Sequence, residues 1–227
     1  MKLTQIPRTL LALSMLTAVS VTPAFGASVS YFLDQSNISG LADGTNYLKV
    51  TISDGLGGLI DFSVETLAPL NSIAGPNFGI QTFAFNTTLV SLPPDSALIN
   101  LPASWSGNVA PPLNSDDGFG KFEFEVTGHG SNRQTVLNFS VNVAGDNIND
   151  YYSLSSGTAG EGNSQYVAHV AAFAKQSCGS STCTSAWFGG GASPVPETDT
   201  WGMMLVGLGL VGLQLRRRIN GVHRIHA

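Results

Sequence analysis

Basic side chains are scarce in this sequence: Lys and Arg together number 10 in 227 residues. Six of them, Lys2, Arg8, Arg216, Arg217, Arg218 and Arg224, sit at the two ends. Residues 27–199 keep Lys49, Lys121, Arg133 and Lys175 against all 15 acids, a balance of −11. A field of that sign repels phosphate backbones, so nucleic acid is not an expected partner. Histidine is equally thin, with 4 in the chain, and His223 and His226 lie at its far end. A serine hydrolase needs a histidine base, and neither His129, in a glycine-flanked turn, nor His169, on an apolar strand, accompanies a G-x-S-x-G elbow. No phosphate-binding glycine loop is present either. No catalytic residue is therefore assigned, and a non-enzymatic protein is expected.

The 2 cysteines, Cys178 and Cys183, stand in the run CGSSTC. A zinc site would need two further ligands, and no histidine lies near them in sequence. Outside the cytoplasm, the simple reading is a disulfide closing a small loop.

What the chain has in quantity is apolar sequence at both ends. Lys2 and Arg8 precede the run Leu10–Val21, and small residues follow from Thr22 to Ala27. That is the pattern of a secretory signal peptide over residues 1–26, cut by signal peptidase after Gly26. Residues 201–215 read WGMMLVGLGLVGLQL, without charge, and Arg216-Arg217-Arg218 follows directly. As a helix this stretch rises roughly 22 Å, short of the ~30 Å hydrocarbon core. Trp201 at one interface and snorkelling arginines at the other make up the difference. A buried core helix is the competing reading. Four glycines would weaken a soluble helix, and a triple arginine after it would have no use there. A transmembrane helix is expected at 201–215, with residues 216–227 as a basic cytoplasmic tail and residues 27–199 outside.

Just before this helix stands Val195-Pro196-Glu197. The order of a Pro-Glu motif, an apolar helix and an arginine stop resembles the PEP-CTERM sorting signal of Gram-negative bacteria, over residues 194–218. Thr198 stands where that signal usually has a second proline. The resemblance implies recognition by an exosortase, a membrane protease that cuts near the Pro-Glu, and delivery from the inner membrane to the cell surface or exterior. It also implies association with exopolysaccharide and biofilm. The same tail is sometimes labelled an ice-binding protein C-terminal domain, which says nothing about ice binding by the rest. No flat array of regularly spaced threonines is traceable in the sequence.

Between the ends, apolar and polar residues alternate with a period of two, as in strands with one buried face. Leu48, Val50 and Ile52 alternate with Lys49, Thr51 and Ser53. Ile60, Phe62 and Val64 alternate with Asp61, Ser63 and Glu65. Phe122, Phe124 and Val126 alternate with Glu123, Glu125 and Thr127. Leu137, Phe139 and Val141 alternate with Asn138, Ser140 and Asn142. Residues 165–175 are apolar on both parities, as in a central strand or a contact between two layers, and the alanines there leave a helix open. Gly-, Asp- and Asn-rich turns separate these runs. An all-β fold is expected, an antiparallel β-sandwich over residues 27–188, a jelly roll being one form of it. Residues 91–118, with five prolines, read as a long loop or loose edge. Residues 189–200 read as a flexible linker.

Three groups of side chains invite chemistry. Glu123 and Glu125 share a strand face at the separation used in glycoside hydrolysis, but Phe122 and Phe124 claim the core face, which leaves the glutamates as solubilising charges on the other. The acidic turns Asp116-Asp117-Gly118 and Asp146–Asp150 offer oxygen ligands for Ca²⁺ but match no calcium-loop spacing, and Asp and Asn are ordinary turn formers. Trp105 and Trp187 lie near expected loops, where they would stack on a sugar ring or cap the ends of the fold. The reading that unites these features is an exported surface or matrix protein with a structural or adhesive role. The alternatives are a carbohydrate-binding module and, behind it, a glycosidase.

Overall fold

The alternation in the sequence becomes strand structure wherever it is clean. Leu48, Val50 and Ile52 are buried along one strand, and Ile60, Phe62 and Val64 along the next, with half-exposed polar residues between them. The computed structural model describes residues 26–174, 183–196 and 207–209. The strands described are β1 (Ser28–Ser36), β2 (Leu48–Asp54), β3 (Ile60–Thr66), β4 (Ala74–Phe85), β5 (Leu98–Ile99), β6 (Trp105–Asp116), β7 (Gly120–Gly128), β8 (Val136–Val141), β9 (Tyr166–Phe173) and β10 (Ser185–Pro196). Every ladder between them is antiparallel.

The strands form one sheet in the order β5-β8-β3-β2-β1-β10-β9-β4-β7-β6. The β1–β10 ladder runs through the middle, so the two halves of the expected sandwich are continuous. The sheet curls until its edges nearly meet. The Val109 amide on β6 donates to Asp95 Oδ1 at 2.7 Å, just before β5. Gly107 on β6 faces Leu98 on β5 so closely that an added Cβ would lie 2.6 Å from Leu98 Cδ1. Near closure leaves little free edge for pairing with another chain.

Aromatic rings hold the two facing walls together. Phe62 on β3 stacks on Phe85 of β4 with centroids 4.7 Å apart, and on its neighbour Phe139 at 4.9 Å. Phe85 stacks in turn on Phe124 of β7 at 4.8 Å. Tyr166 lies fully buried, and its hydroxyl donates to the Tyr151 carbonyl at 2.7 Å, as a buried phenol requires. Phe122 departs from the expected single core. It joins a second small cluster with Phe119, Ala84 and Val167, against which Trp187 packs.

The proline-rich stretch is more ordered than a loop. β6 pairs with β7 over Trp105–Val109 and again over Asn114–Asp116, with a break in register between Val109 and Asn114. Pro111 and Pro112 fall inside that break and on an edge strand, where no ladder donor is lost. β9 occupies the central place expected for residues 165–175, between β10 and β4. The linker expected from residue 189 is likewise strand as far as Pro196. Among the described residues no helix is long and apolar enough to cross a membrane. The expected signal peptide and the expected span at 201–215 lie outside them, apart from Gly26 and the helical residues 207–209.

Candidate functional site

The sorting segment begins inside the sheet. β10 pairs with β9 as far as Gly190 and with β1 as far as Pro196, so its last residues are held on one side only. There Val195 lies opposite Ser30 and Pro196 opposite Val29. Proline is tolerated in such a place because one flank of the strand is unpaired. The glycines that precede this segment have a packing reason. Phe119 lies over Gly189 so closely that any Cβ would collide with its ring. Glu197, Trp201, Arg216, Arg217 and Arg218 lie outside the described residues. So does Cys178, while Cys183 is disulfide-bonded.

The two tryptophans have different fates. Trp105 is 8 % exposed, its Nε1 donates to the Asn132 carbonyl at 2.8 Å, and its ring covers Gly128 on the paired strand. It packs against the core and presents no face for a sugar. Trp187 is half-buried and stacks on His169 with ring centroids 4.7 Å apart. Burial, and then the charge of Arg133, lowers the His169 pKa. This histidine is a packed ring beside an indole.

Glu123 and Glu125 are each engaged locally. Glu123 Oε2 accepts from the Thr87 amide at 2.9 Å, and Glu125 Oε1 accepts from the Thr127 hydroxyl at 3.2 Å. Burial raises the Glu125 pKa, offset in part by that hydroxyl. Asp116 is 3 % exposed, and its Oδ2 finds no hydrogen-bond partner. Burial, and then the nearby Glu125 charge, pushes Asp116 up to about 7.

The acidic turns bond several of their oxygens to the protein, although Asp116 Oδ2 and Asp146 Oδ1 are buried without a partner. Asp150 Oδ2 accepts from both nitrogens of Asn147, Asp146 Oδ2 from the Tyr151 hydroxyl, and Asp117 Oδ2 from Asn37 Nδ2. Among the described residues, no group of three or more His, Cys, Asp or Glu side chains is placed to hold a metal ion.

One concavity draws its lining from the outward, polar phase of three strands. It is a shallow depression of about 360 Å³ over β2, β3 and β8. Register places Thr51, Ser63 and Asn138 side by side in one rung, and Ser53, Asp61 and Ser140 in the next. Asn100, just past β5, closes one side. Ser140 Oγ donates to Asp61 Oδ1 at 2.6 Å and accepts from Asn100 Nδ2 at 3.0 Å. The rings of Phe62 and Phe139 belong to the core beneath. Sequence reading identified the polar phase of each strand but not this site, because alternation is local and the rungs form only once three strands align. The sole local hint was a row of small hydroxyls and amides where charged residues are the usual solvent face.

Neither the curated proteins nor the solved structures gave a match to this chain. Residues 194–218, from the last turn of ladder between β10 and β1 onward, match the PEP-CTERM protein-sorting motif.

Proposed function

We propose that this protein is an exported, exosortase-sorted surface protein whose β-domain serves a non-enzymatic structural or adhesive role in the extracellular matrix. The motif match over residues 194–218 carries the reading. On this account residues 1–26 are removed on export, residues 201–215 hold the chain in the inner membrane with the arginines inside, and an exosortase cuts near Pro196-Glu197. The fold supports the assignment. A nearly closed sheet with a stacked aromatic core suits long residence outside the cell. Glu123 and Glu125 are tied to threonines. No cofactor is invoked.

The test is fractionation of cells with and without an active exosortase. The protein is expected in the surface or medium fraction of the first and in the inner membrane of the second. Equal retention of uncut protein in the inner membrane of both would contradict the assignment.

A further inference from the structure

We propose that the depression over β2, β3 and β8 binds an uncharged polysaccharide, an inference that rests on the surface assignment for the source of its ligand. Three observations converge on it.

The first is a polar arrangement fixed before any ligand arrives. Ser140 bridges Asp61 and Asn100 through two hydrogen bonds, which orients a carboxylate and an amide on one side of the depression. Asn100 sits there at φ +58°, in the left-handed region that asparagine tolerates better than most residues.

The second is a set of polar groups with nothing to do. Among the described residues, the side chains of Ser53, Ser63 and Asn138 make no hydrogen bond to the protein. They stand beside the Asp61–Ser140 pair in the same two rungs. Strand spacing sets these groups about 4.8 Å apart across the sheet and about 7 Å apart along it. Hydroxyls and amides both donate and accept, as the hydroxyls of a sugar ring do. Asp61 adds a charge-assisted acceptor for a ligand hydroxyl.

The third is charge. The lining holds one carboxylate and no base, and residues 27–199 carry −11. An anionic polymer would be repelled and an uncharged one would not. With no aromatic ring facing outward from the lining, each contact is weak, on the order of millimolar. A polymer offering the same unit many times to many surface copies compensates by multivalency.

The experiment is native affinity electrophoresis of the full chain in detergent, through gels containing dextran, laminarin or galactomannan, with alginate as the anionic polymer. At least one neutral polymer is expected to retard the protein. Asp61→Asn is expected to weaken retardation fivefold or more. Asn138→Ala and Ser63→Ala should weaken it comparably while leaving the melting temperature unchanged, because those side chains hold nothing in the fold. Free passage through all three neutral gels, retardation by alginate alone, or wild-type retardation of both alanine variants would overturn the proposal. Surface delivery is read separately by fractionation, so loss of this inference is distinguishable from loss of the sorting assignment.

Discussion

Val29 and Pro196 lie opposite each other in the β1–β10 ladder. The start of β1 and the start of the sorting motif therefore lie at the same end of the sheet. The Ala27 amide is fixed there too, donating to Asp54 Oδ2 at 2.9 Å. Little slack separates the folded domain from the segment to be cut. A chain anchored at residues 201–215 would hold this end toward the membrane and direct the loops around Asp43, Leu70 and Glu161 away from it.

That pairing predicts slow hydrogen exchange in a segment whose composition reads as a linker. Pro194 and Pro196 have no amide hydrogen, but the amides of residues 192–195 that bond to β1 should exchange at least tenfold slower than unstructured chain, because opening them means opening the edge of a ladder. Ser30→Pro, which disrupts the partner strand, should abolish the protection. Unprotected exchange in the unsubstituted protein would contradict the pairing.

Asp116 predicts a pH dependence of stability with a definite sign. Its folded-state pKa of about 7 exceeds the ordinary value of 3.8, so the native state holds a proton that the unfolded chain has lost. The stability it contributes is complete below the ordinary value and disappears as pH rises through about 7. Asp116→Asn mimics the neutral acid and removes this slope. Relative to wild type, the variant should gain about 3 kcal/mol between pH 5 and pH 8.5, as two pKa units imply. Urea titrations at the two pH values measure it, and parallel curves for both proteins would refute the assignment.

Trp105→Ala should destabilise by about 3–5 kcal/mol, the usual cost of emptying a large aromatic site in a core. It should do so without weakening retardation by neutral polymer under conditions where the variant stays folded. Thermal melts and the affinity gels together check this. A variant that melts like wild type but no longer binds would restore the indole as a sugar platform.

Much of the strand structure is legible in the sequence because alternation is a local signal. Leu48–Val50–Ile52, Ile60–Phe62–Val64 and Leu137–Phe139–Val141 bury as their period requires. The two-sided apolar run Tyr166–Phe173 is central for the same reason. Non-local facts were not legible. Pro111 and Pro112 argue against a strand in isolation, and only the break in the β6–β7 ladder shows how an edge strand absorbs them. The residues from Gly189 to Pro196 have linker composition, yet β1 gives them a partner. Trp105 reads as a loop aromatic until Gly128 is placed beneath it. The polar depression depends on the register of three strands, which no single strand encodes.

Reduction of the disulfide should have a modest effect. With 2 cysteines in the chain, the expected partner of Cys183 is Cys178, five residues away in sequence, and so small a loop would stabilise by about 2 kcal/mol at most on chain-entropy grounds. Thermal melts with and without reductant should differ by a few degrees. Loss of the fold on reduction would show that the bridge does more than close its own loop.

The central claim is that the two ends of this chain are handling signals and the β-domain is the delivered product. Intact mass of the protein recovered from the cell surface tests it most directly. The account predicts a chain that starts at Ala27, ends close to Pro196-Glu197 and is 2 Da lighter than its reduced form, as one disulfide requires. A mass that retains residues 201–227, or that starts at Met1, would contradict it.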